Sequence, residues 1–232
     1  VISKGSVAFI FMTVLYRVFG SQMEQWHVIL LVLAVLTMVI GNLFALRQTN
    51  IKRFLAFSSI AQVGFLLLAI SYNSPASEAS VIYFVLIYLF SNLAAFAVAT
   101  NLCVVAQKEH MRDYRGLVQS NPFLAWTLSI ALFSLAGIPP TAGFFGKLFL
   151  LGSGAAGGDY WFIGIAALNM VISLFYYLRW VKVMLVDKAE QTLPAMQLNA
   201  YVRFGLWVCL TGILLTGILH WIYDYIVFCV SR

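Results

Sequence analysis

Charged residues are scarce in this chain, and motifs of redox or nucleotide-binding proteins are missing. Only 9% of the 232 residues are charged, whereas a soluble domain carries about 25%. This shortage leaves too little polar surface for contact with water on all sides. The three cysteines form no CxxC pair and have no metal or iron–sulfur spacing, and the sequence contains neither a P-loop nor a dinucleotide fingerprint. We therefore exclude a soluble protein and predict no metal or cofactor site within the chain.

The sequence is rich in long apolar runs. It is 62% hydrophobic with a mean hydropathy of +0.94, and its runs of roughly 20 residues can each cross a hydrocarbon core of about 30 Å. In lipid only a helix satisfies its own backbone polar groups within one segment. The sequence predicts an all-α, polytopic membrane bundle of about seven helices, forming a single membrane domain over residues 1–232. The predicted helices lie near 1–19, 26–46, 51–72, 79–107, 121–152, 160–186 and 200–229. Asn121-Pro122 and Asn199 are predicted helix starts, with Asn121 as a cap and Pro122 in the first turn.

The net charge of +6 is explained by topology. Most lysines and arginines fall at alternate connections between the predicted helices, as they do in cytoplasmic or matrix loops. We therefore predict that these connections lie on one side of a lipid bilayer, and we expect no nucleic-acid partner. The residues assigned to this side are Arg47, Lys52, Arg53, Lys108, Arg112, Arg115, Arg179, Lys182, Lys188 and Arg203.

The fifth predicted helix contains a break followed by a lysine. Gly137, Pro139 and Pro140 interrupt it, because proline removes a backbone donor and clashes with the preceding turn. At membrane depth such a break is tolerated where it is buried in protein or lines a wet cavity. Lys147 follows in mid-span, where burial disfavours the charged amine. We predict that Lys147 relays protons, since snorkelling to the interface suits lysines at helix ends.

A second lysine, Lys4, lies among small residues near the start of the first predicted helix. From the residues alone it fits an interfacial position as well as a buried one. Polar side chains within the spans could connect the two lysines through water, or could make ordinary helix–helix hydrogen bonds. The candidate polar relay is Ser58, Ser59, Ser134 and Tyr176. Further polar candidates within the spans are Gln62, Ser91, Asn92, Thr141, Asn169, Ser173 and Tyr177.

Four stretches carry a resemblance to a known family. They are residues 3–5 (SKG), 41–60 (GNLFALRQTNIKRFLAFSSI), 114–117 (YRGL) and 135–147 (LAGIPPTAGFFGK). They resemble the antiporter-like membrane subunits of NADH:quinone oxidoreductase, respiratory complex I, and fit the subunit 2 (subunit N) branch best. The sister branch, which is similar to multi-subunit sodium/proton antiporters, is the second choice.

The resemblance implies the second half of an antiporter-like fold of fourteen helices. In that family two inverted five-helix repeats each contain a broken helix with a charged residue. Lys4 is then similar to the connecting lysine at mid-membrane, and Lys147 to the terminal lysine of the second half-channel. The glutamate and lysine of the first half-channel have no counterpart here. We therefore expect a partner at the Val1 end, either a longer natural N-terminus or a second polypeptide that carries the missing half.

The function implied by the resemblance is proton translocation coupled to electron transfer from NADH to quinone. The chain would act as part of a translocase with no redox centre of its own. NADH, flavin, iron–sulfur clusters and quinone are expected on partner subunits, and the other membrane-arm subunits of complex I are expected as partners. The expected location is the mitochondrial inner membrane or a bacterial cytoplasmic membrane. The alternatives are a structural scaffold subunit of the same arm and a subunit of a multi-subunit sodium/proton antiporter.

Overall fold

The computed structural model describes residues 2–188, 196, 198–219 and 221–231, so Val1 and the partner expected at its end lie outside the described residues. Within these ranges the chain folds into helices and contains no strand. The helices are α1 (Ile2–Arg17), α2 (Met23–Arg47), α3 (Ile51–Ile70), α4 (Pro75–Ala106), α5 (Leu117–Ser120), α6 (Pro122–Ala136), α7 (Ala142–Gly157), α8 (Tyr160–Leu185), α9 (Ala200–Ile218) and α10 (Trp221–Val230), with 3-10 turns at Gly20–Gln22 and Met111–Tyr114.

The length and composition of these helices suit a membrane. In the described part of the chain, five helices are long and apolar enough to cross a bilayer individually: α2 with the turn before it, α3, α4, α8 and α9. The helices α6 and α7 have 15 and 16 residues, so each is shorter than a usual span, and they follow one another across a break. The predicted all-α membrane bundle with one broken helix is confirmed.

Three connections that carry basic residues meet at one end of the bundle, which we call the inner end. The backbone N–H of Ile51 donates to the Glu109 carbonyl at 2.9 Å, and that of Gly116 donates to the Val183 carbonyl at 3.2 Å. The connection after α4 is therefore joined by main-chain hydrogen bonds to the start of α3 and to the last turn of α8. Their spatial proximity agrees with the alternation of basic residues along the sequence.

A polar cluster at the inner end fixes the start of α3. The Asn50 side-chain oxygen accepts hydrogen bonds from the backbone N–H groups of Lys52 and Arg53, at 3.0 and 3.2 Å, so Asn50 caps the helix. The Glu109 carboxylate accepts from Lys52 Nζ at 2.6 Å and from Asn50 Nδ2 at 2.8 Å. The bond from Lys52, followed by that from Asn50, holds the pKa of Glu109 below its usual value.

The break between α6 and α7 depends on two glycines. Gly137 ends α6 with a φ of +85°, a conformation that strains any residue with a side chain, and its N–H donates to the carbonyls of Phe133 and Ser134. The chain then passes through Pro139-Pro140 and enters α7. A Cβ added to Gly143 would lie 1.7 Å from the Ser134 carbonyl oxygen. The backbones of α6 and α7 are therefore in direct contact just beyond the break.

Besides shifts of helix boundaries, two details differ from the sequence predictions. The segment predicted as one helix over 200–229 is divided, because Leu219 leaves the helical conformation after α9. Gly217, near the end of α9, packs against the backbone of the α6–α7 break, and α10 then stacks Tyr223 on Phe149 with ring centroids 3.8 Å apart.

The second difference concerns Asn121. Pro122 begins α6 as predicted, but the Asn121 side chain does not cap that helix. Its Oδ1 instead accepts a hydrogen bond from the backbone N–H of Met196 at 2.8 Å. The side chain therefore ties the start of α6 to the segment before α9. The Asn199 side chain does cap α9, accepting from the Tyr201 N–H.

Candidate functional site

Lys147 lies in the second turn of α7 and is 1% exposed. Its Nζ donates to the carbonyl oxygens of Leu135 and Ala136 at 2.8 and 3.1 Å, and it lies 5.2 Å from the centroid of the Phe65 ring. The two carbonyls are at the C-terminal end of α6, where the break leaves them without helical partners. None of the ion pairs among the described residues includes Lys147. The ammonium is therefore held by peptide dipoles and an aromatic face.

A small cavity of about 10 Å³ adjoins Lys147, which is near the space that one water molecule needs. Its polar walls come from three helices, since Gln62 is on α3, Ser91 is on α4 and Ser134 is on α6. Ser91 donates to the Ser134 hydroxyl at 2.7 Å. The Gln62 amide nitrogen donates to the Leu135 carbonyl at 2.9 Å, so that carbonyl accepts from both Gln62 and Lys147.

The Gln62 side chain has an unsatisfied acceptor. Its Oε1 is buried and has no hydrogen-bond partner within the described part of the protein, although its Nε2 also reaches the Tyr177 hydroxyl at 3.3 Å. A buried oxygen without a partner costs about 1–3 kcal/mol. A water in the adjacent cavity is a suitable donor to this oxygen, because the site is polar and has the required volume.

Lys4 contacts the same stretch of α3 as Lys147 does. Its Nζ donates to the Ser59 hydroxyl. Ser59 is the ninth of the 20 residues of α3, so it lies about 12 Å along the axis from the first residue and about 16 Å from the last. Gln62 follows Ser59 by three residues, within one helical turn. The amine of Lys4 is thus near mid-height of the bundle, one turn of α3 away from the surroundings of Lys147, and Lys4 itself is exposed at the surface of the described chain.

Tyr88 on α4 links the two lysines. Its hydroxyl lies close to that of Ser59, which accepts from Lys4, and the side chain also lines the cavity beside Lys147. The ring is almost fully buried. The order of contacts is therefore Lys4, Ser59, Tyr88, the cavity and Lys147.

A further group of buried polar residues extends from Gln62 toward α2. The Tyr177 hydroxyl is in contact with Ser58 and with Tyr176. The Tyr176 hydroxyl donates to Asn42 Oδ1 at 2.8 Å, and Asn42 Nδ2 donates to the Asn169 side chain at 2.8 Å. These hydrogen bonds connect α2, α3 and α8 across the interior of the bundle.

The residues predicted from sequence fall into two places. Ser59 and Ser134 lie on the route between the lysines, whereas Ser58 and Tyr176 belong to the group around Tyr177. Gly137, Pro139 and Pro140 form the break that exposes the α6 carbonyls to Lys147. Their functional roles stay predictions.

Sequence reasoning missed Tyr88 and Asn42. Each is a polar residue within a mostly apolar helix, and this contrast is the signal in the sequence that could have identified them.

The family model and the curated relatives give the same family. The family model described as "NADH:quinone oxidoreductase/Mrp antiporter, TM" matches residues 2–173. NADH-quinone oxidoreductase subunit N of Phocaeicola vulgatus is 43% identical over 228 residues, which cover 97% of this chain and 48% of that protein. The chloroplastic NAD(P)H-quinone oxidoreductase subunit 2 of Chlorokybus atmophyticus is 39% identical over 216 residues, covering 89% of this chain and 42% of that protein. The chain thus spans about half the length of these curated relatives.

Solved structures share the fold. A chain of respiratory complex I from Thermus thermophilus with bound aureothin superposes with a TM-score of 0.71 at 30% identity, over 82% of this chain and 43% of that one. A chain of the Mrp complex from Dietzia sp. DQ12-45-1b superposes with a TM-score of 0.86 at 17% identity, over 97% of this chain and 50% of that one; this second likeness concerns the fold alone. Since the family model covers most of its length and relatives with about 40% identity cover nearly all of it, the chain belongs to the membrane-spanning NADH:quinone oxidoreductase/Mrp antiporter family.

Proposed function

We propose that the chain is part of a proton-translocating subunit in the membrane arm of an NADH:quinone oxidoreductase, and that Lys147 is its central proton carrier. The observation that carries the proposal is the position of the Lys147 amine, buried at a helix break, on two backbone carbonyls and beside a polar cavity. A lysine without a carboxylate partner can lose its proton without leaving an unpaired acid in the membrane.

The proposed route uses the contacts between the two lysines. A proton on Lys4 passes to Ser59, whose hydroxyl, which now donates to the Ala56 carbonyl, turns toward Tyr88. From Tyr88 the proton passes to a water in the cavity, and from that water to Lys147. Hydroxyl groups suit this task because each donates and accepts a hydrogen bond. The Gln62–Tyr177 contact offers a continuation toward Tyr176 and Asn42 on the other side of α3.

The energy source in this proposal lies on other polypeptides. NADH, flavin, iron–sulfur clusters and quinone are bound by partner subunits, and the change in charge that accompanies electron transfer alters the field at Lys4 and Lys147. The other membrane-arm subunits, and a chain or segment that carries the first half of the subunit, complete the proton path. The membrane is the bacterial cytoplasmic or the mitochondrial inner membrane. The relatives named NADH-quinone oxidoreductase subunit N and NAD(P)H-quinone oxidoreductase subunit 2 support the assignment to a quinone oxidoreductase, and not the choice of membrane.

The test is replacement of Lys147 in the assembled complex. In Lys147→Ala we expect assembly and NADH-to-acceptor electron transfer in the peripheral subunits to persist, while proton uptake into sealed vesicles falls strongly. Proton transfer by a positioned side chain typically contributes about 10²–10⁴ in rate. Lys147→Arg keeps the positive charge but should not restore translocation, because a guanidinium does not release its proton in a protein.

The matched control is Lys188→Ala, which removes a lysine from the exposed inner end and should leave proton translocation unchanged. A scaffold role for the chain makes a different prediction, since a structural cation would be served by arginine as well as by lysine. Full translocation by Lys147→Arg would therefore refute the proposal and support the scaffold.

A further inference from the structure

A wide basic cleft opens at the inner end of the bundle, away from Lys4 and Lys147. Its volume is about 580 Å³. The walls include Arg112 and Arg115 from the connection after α4, and Arg179 and Lys182 from the last turns of α8. Among the described residues, one carboxylate, Asp187, lines the cleft with them. Arg179 also donates to the Leu46 carbonyl of α2 at 3.4 Å, which holds its guanidinium at the α2–α8 junction. The cleft therefore has the charge of an anion-binding site.

An exposed apolar stripe on α8 leads directly to this cleft. Leu168, Val171 and Phe175 are 66%, 65% and 64% exposed, and their spacing of three and four residues places them on one face of the helix. Arg179 and Lys182 continue the same spacing. Phe175 precedes Arg179 by four residues, or about 6 Å along the helix axis. One face of α8 therefore carries an apolar section followed by a cationic section.

We propose that the cleft and the stripe together bind an anionic phospholipid, with the phosphate headgroup between Arg112, Arg179 and Lys182 and an acyl chain along Leu168, Val171 and Phe175. The bidentate geometry of a guanidinium suits a phosphate, and a basic pocket between helices at the positively charged side of a membrane protein is a typical headgroup site. This lipid binding does not depend on the proposed proton route, so each proposal is tested by its own experiment.

The apolar stripe is the feature that selects a lipid over a free anion. A soluble phosphate would use the cationic cleft alone and would gain nothing from a row of exposed apolar side chains beside it. An acidic protein segment would fill the cleft but would leave the stripe, which extends along two turns of α8, in contact with hydrocarbon. A phospholipid uses both surfaces in the order in which the helix presents them.

The experiment uses the assembled complex in neutral detergent and a photoreactive phosphatidylglycerol with its reactive group on an acyl chain. We expect labelling of α8 between residues 168 and 175, competed by unlabelled phosphatidylglycerol and weakly by phosphatidylcholine. The double variant Arg179→Gln, Lys182→Gln should bind the labelled lipid more weakly by about fivefold for each charge removed, or roughly 25-fold in total.

The matched control removes two charges from the same end but outside the cleft, as Arg53→Gln with Lys188→Gln, and should retain wild-type labelling. Equal labelling by the two double variants would overturn the proposal. Equal competition by phosphatidylcholine would also overturn it, because the headgroup charge would then play no part. If inorganic phosphate at the lipid's own concentration displaced the label, the cleft would be a simple anion site rather than a phospholipid site.

Discussion

Replacement of Gly143 by alanine tests whether the contact between α6 and α7 positions Lys147. The added Cβ would lie 1.7 Å from the Ser134 carbonyl oxygen, whereas real Cβ atoms essentially never approach a neighbour within 3.0 Å. The obstacle is backbone rather than the end of a flexible side chain, so the two helices must separate by more than an ångström.

The energetic cost follows from what this separation does to Lys147. Its bonds to Leu135 and Ala136 are 2.8 and 3.1 Å long, and an added ångström takes both beyond hydrogen-bonding distance. A hydrogen bond to a charged group contributes about 1.5–3 kcal/mol, and overpacking costs a further 1–3 kcal/mol or so. We expect Gly143→Ala to lower the free energy of unfolding by about 3–5 kcal/mol, with the separate costs not fully additive.

The control is Gly152→Ala on the same helix, where an added Cβ meets nothing within 4 Å. It should be neutral or should stabilise α7 by up to about 1 kcal/mol, because alanine is the better helix former. Unfolding of the detergent-solubilised complex gives the first readout, and reaction of Lys147 with an amine-specific reagent, located by peptide mass spectrometry, gives the second. If Gly143→Ala is as stable as Gly152→Ala and Lys147 stays unreactive, the close contact does not position the lysine.

Two further predictions concern the lysine route and the inner end. Ser59→Ala and Tyr88→Phe should each slow proton translocation in vesicles without loss of assembly, because each removes a hydroxyl between Lys4 and the cavity. The control is Ser153→Ala, which loses only a bond to its own helix. An equal effect of all three substitutions would argue against a route through Tyr88. The hydrogen bonds from Lys52 and Asn50 lower the pKa of Glu109, so the ionised carboxylate stabilises the folded state at neutral pH. This contribution is lost as the pH falls from the pKa of about 4.5 in the unfolded chain toward the lower pKa in the folded protein. The stability difference between the wild type and Glu109→Gln should therefore shrink in acid, and a difference that is constant with pH would contradict this account.

Sequence reasoning located the helices and the break because both leave local signals. Apolar runs of span length identify helices in any membrane chain, and Gly137 with Pro139 and Pro140 marks an interruption regardless of what packs around it. The start of α4 was placed four residues late, although Ser74 before Pro75 is a cap signal, and the Ser74 side chain does accept the Ser77 N–H. That boundary could have been predicted from the sequence.

The contacts that join the two lysines could not have been predicted in this way. Tyr88 lies between Ser59 and the cavity only because α4 packs against α3 and α6. The packing of such helices cannot be predicted from their apolar pattern, because they are hydrophobic on most sides. The unsatisfied Gln62 oxygen and the cavity beside it depend on the same packing. Asn121 is a second example of a contact that the sequence does not predict. Its position before Pro122 is typical of a helix cap, whereas in the folded chain its side chain accepts a hydrogen bond from the Met196 N–H.

The coordination of Lys147 explains how one lysine can serve in two protonation states. An ammonium has three N–H donors, and Leu135 and Ala136 accept two of them. After proton loss the neutral amine keeps two N–H groups, enough to satisfy the same two carbonyls, and its third position becomes a lone pair. The proton that is exchanged in the proposed mechanism is thus the one left for the cavity, where Ser134 and Tyr88 lie. The end of α6 stays hydrogen-bonded in both states, so the lysine needs no change of rotamer to give up or regain its proton. A carboxylate partner would remove this property, because the neutral amine would leave behind a buried, uncompensated charge.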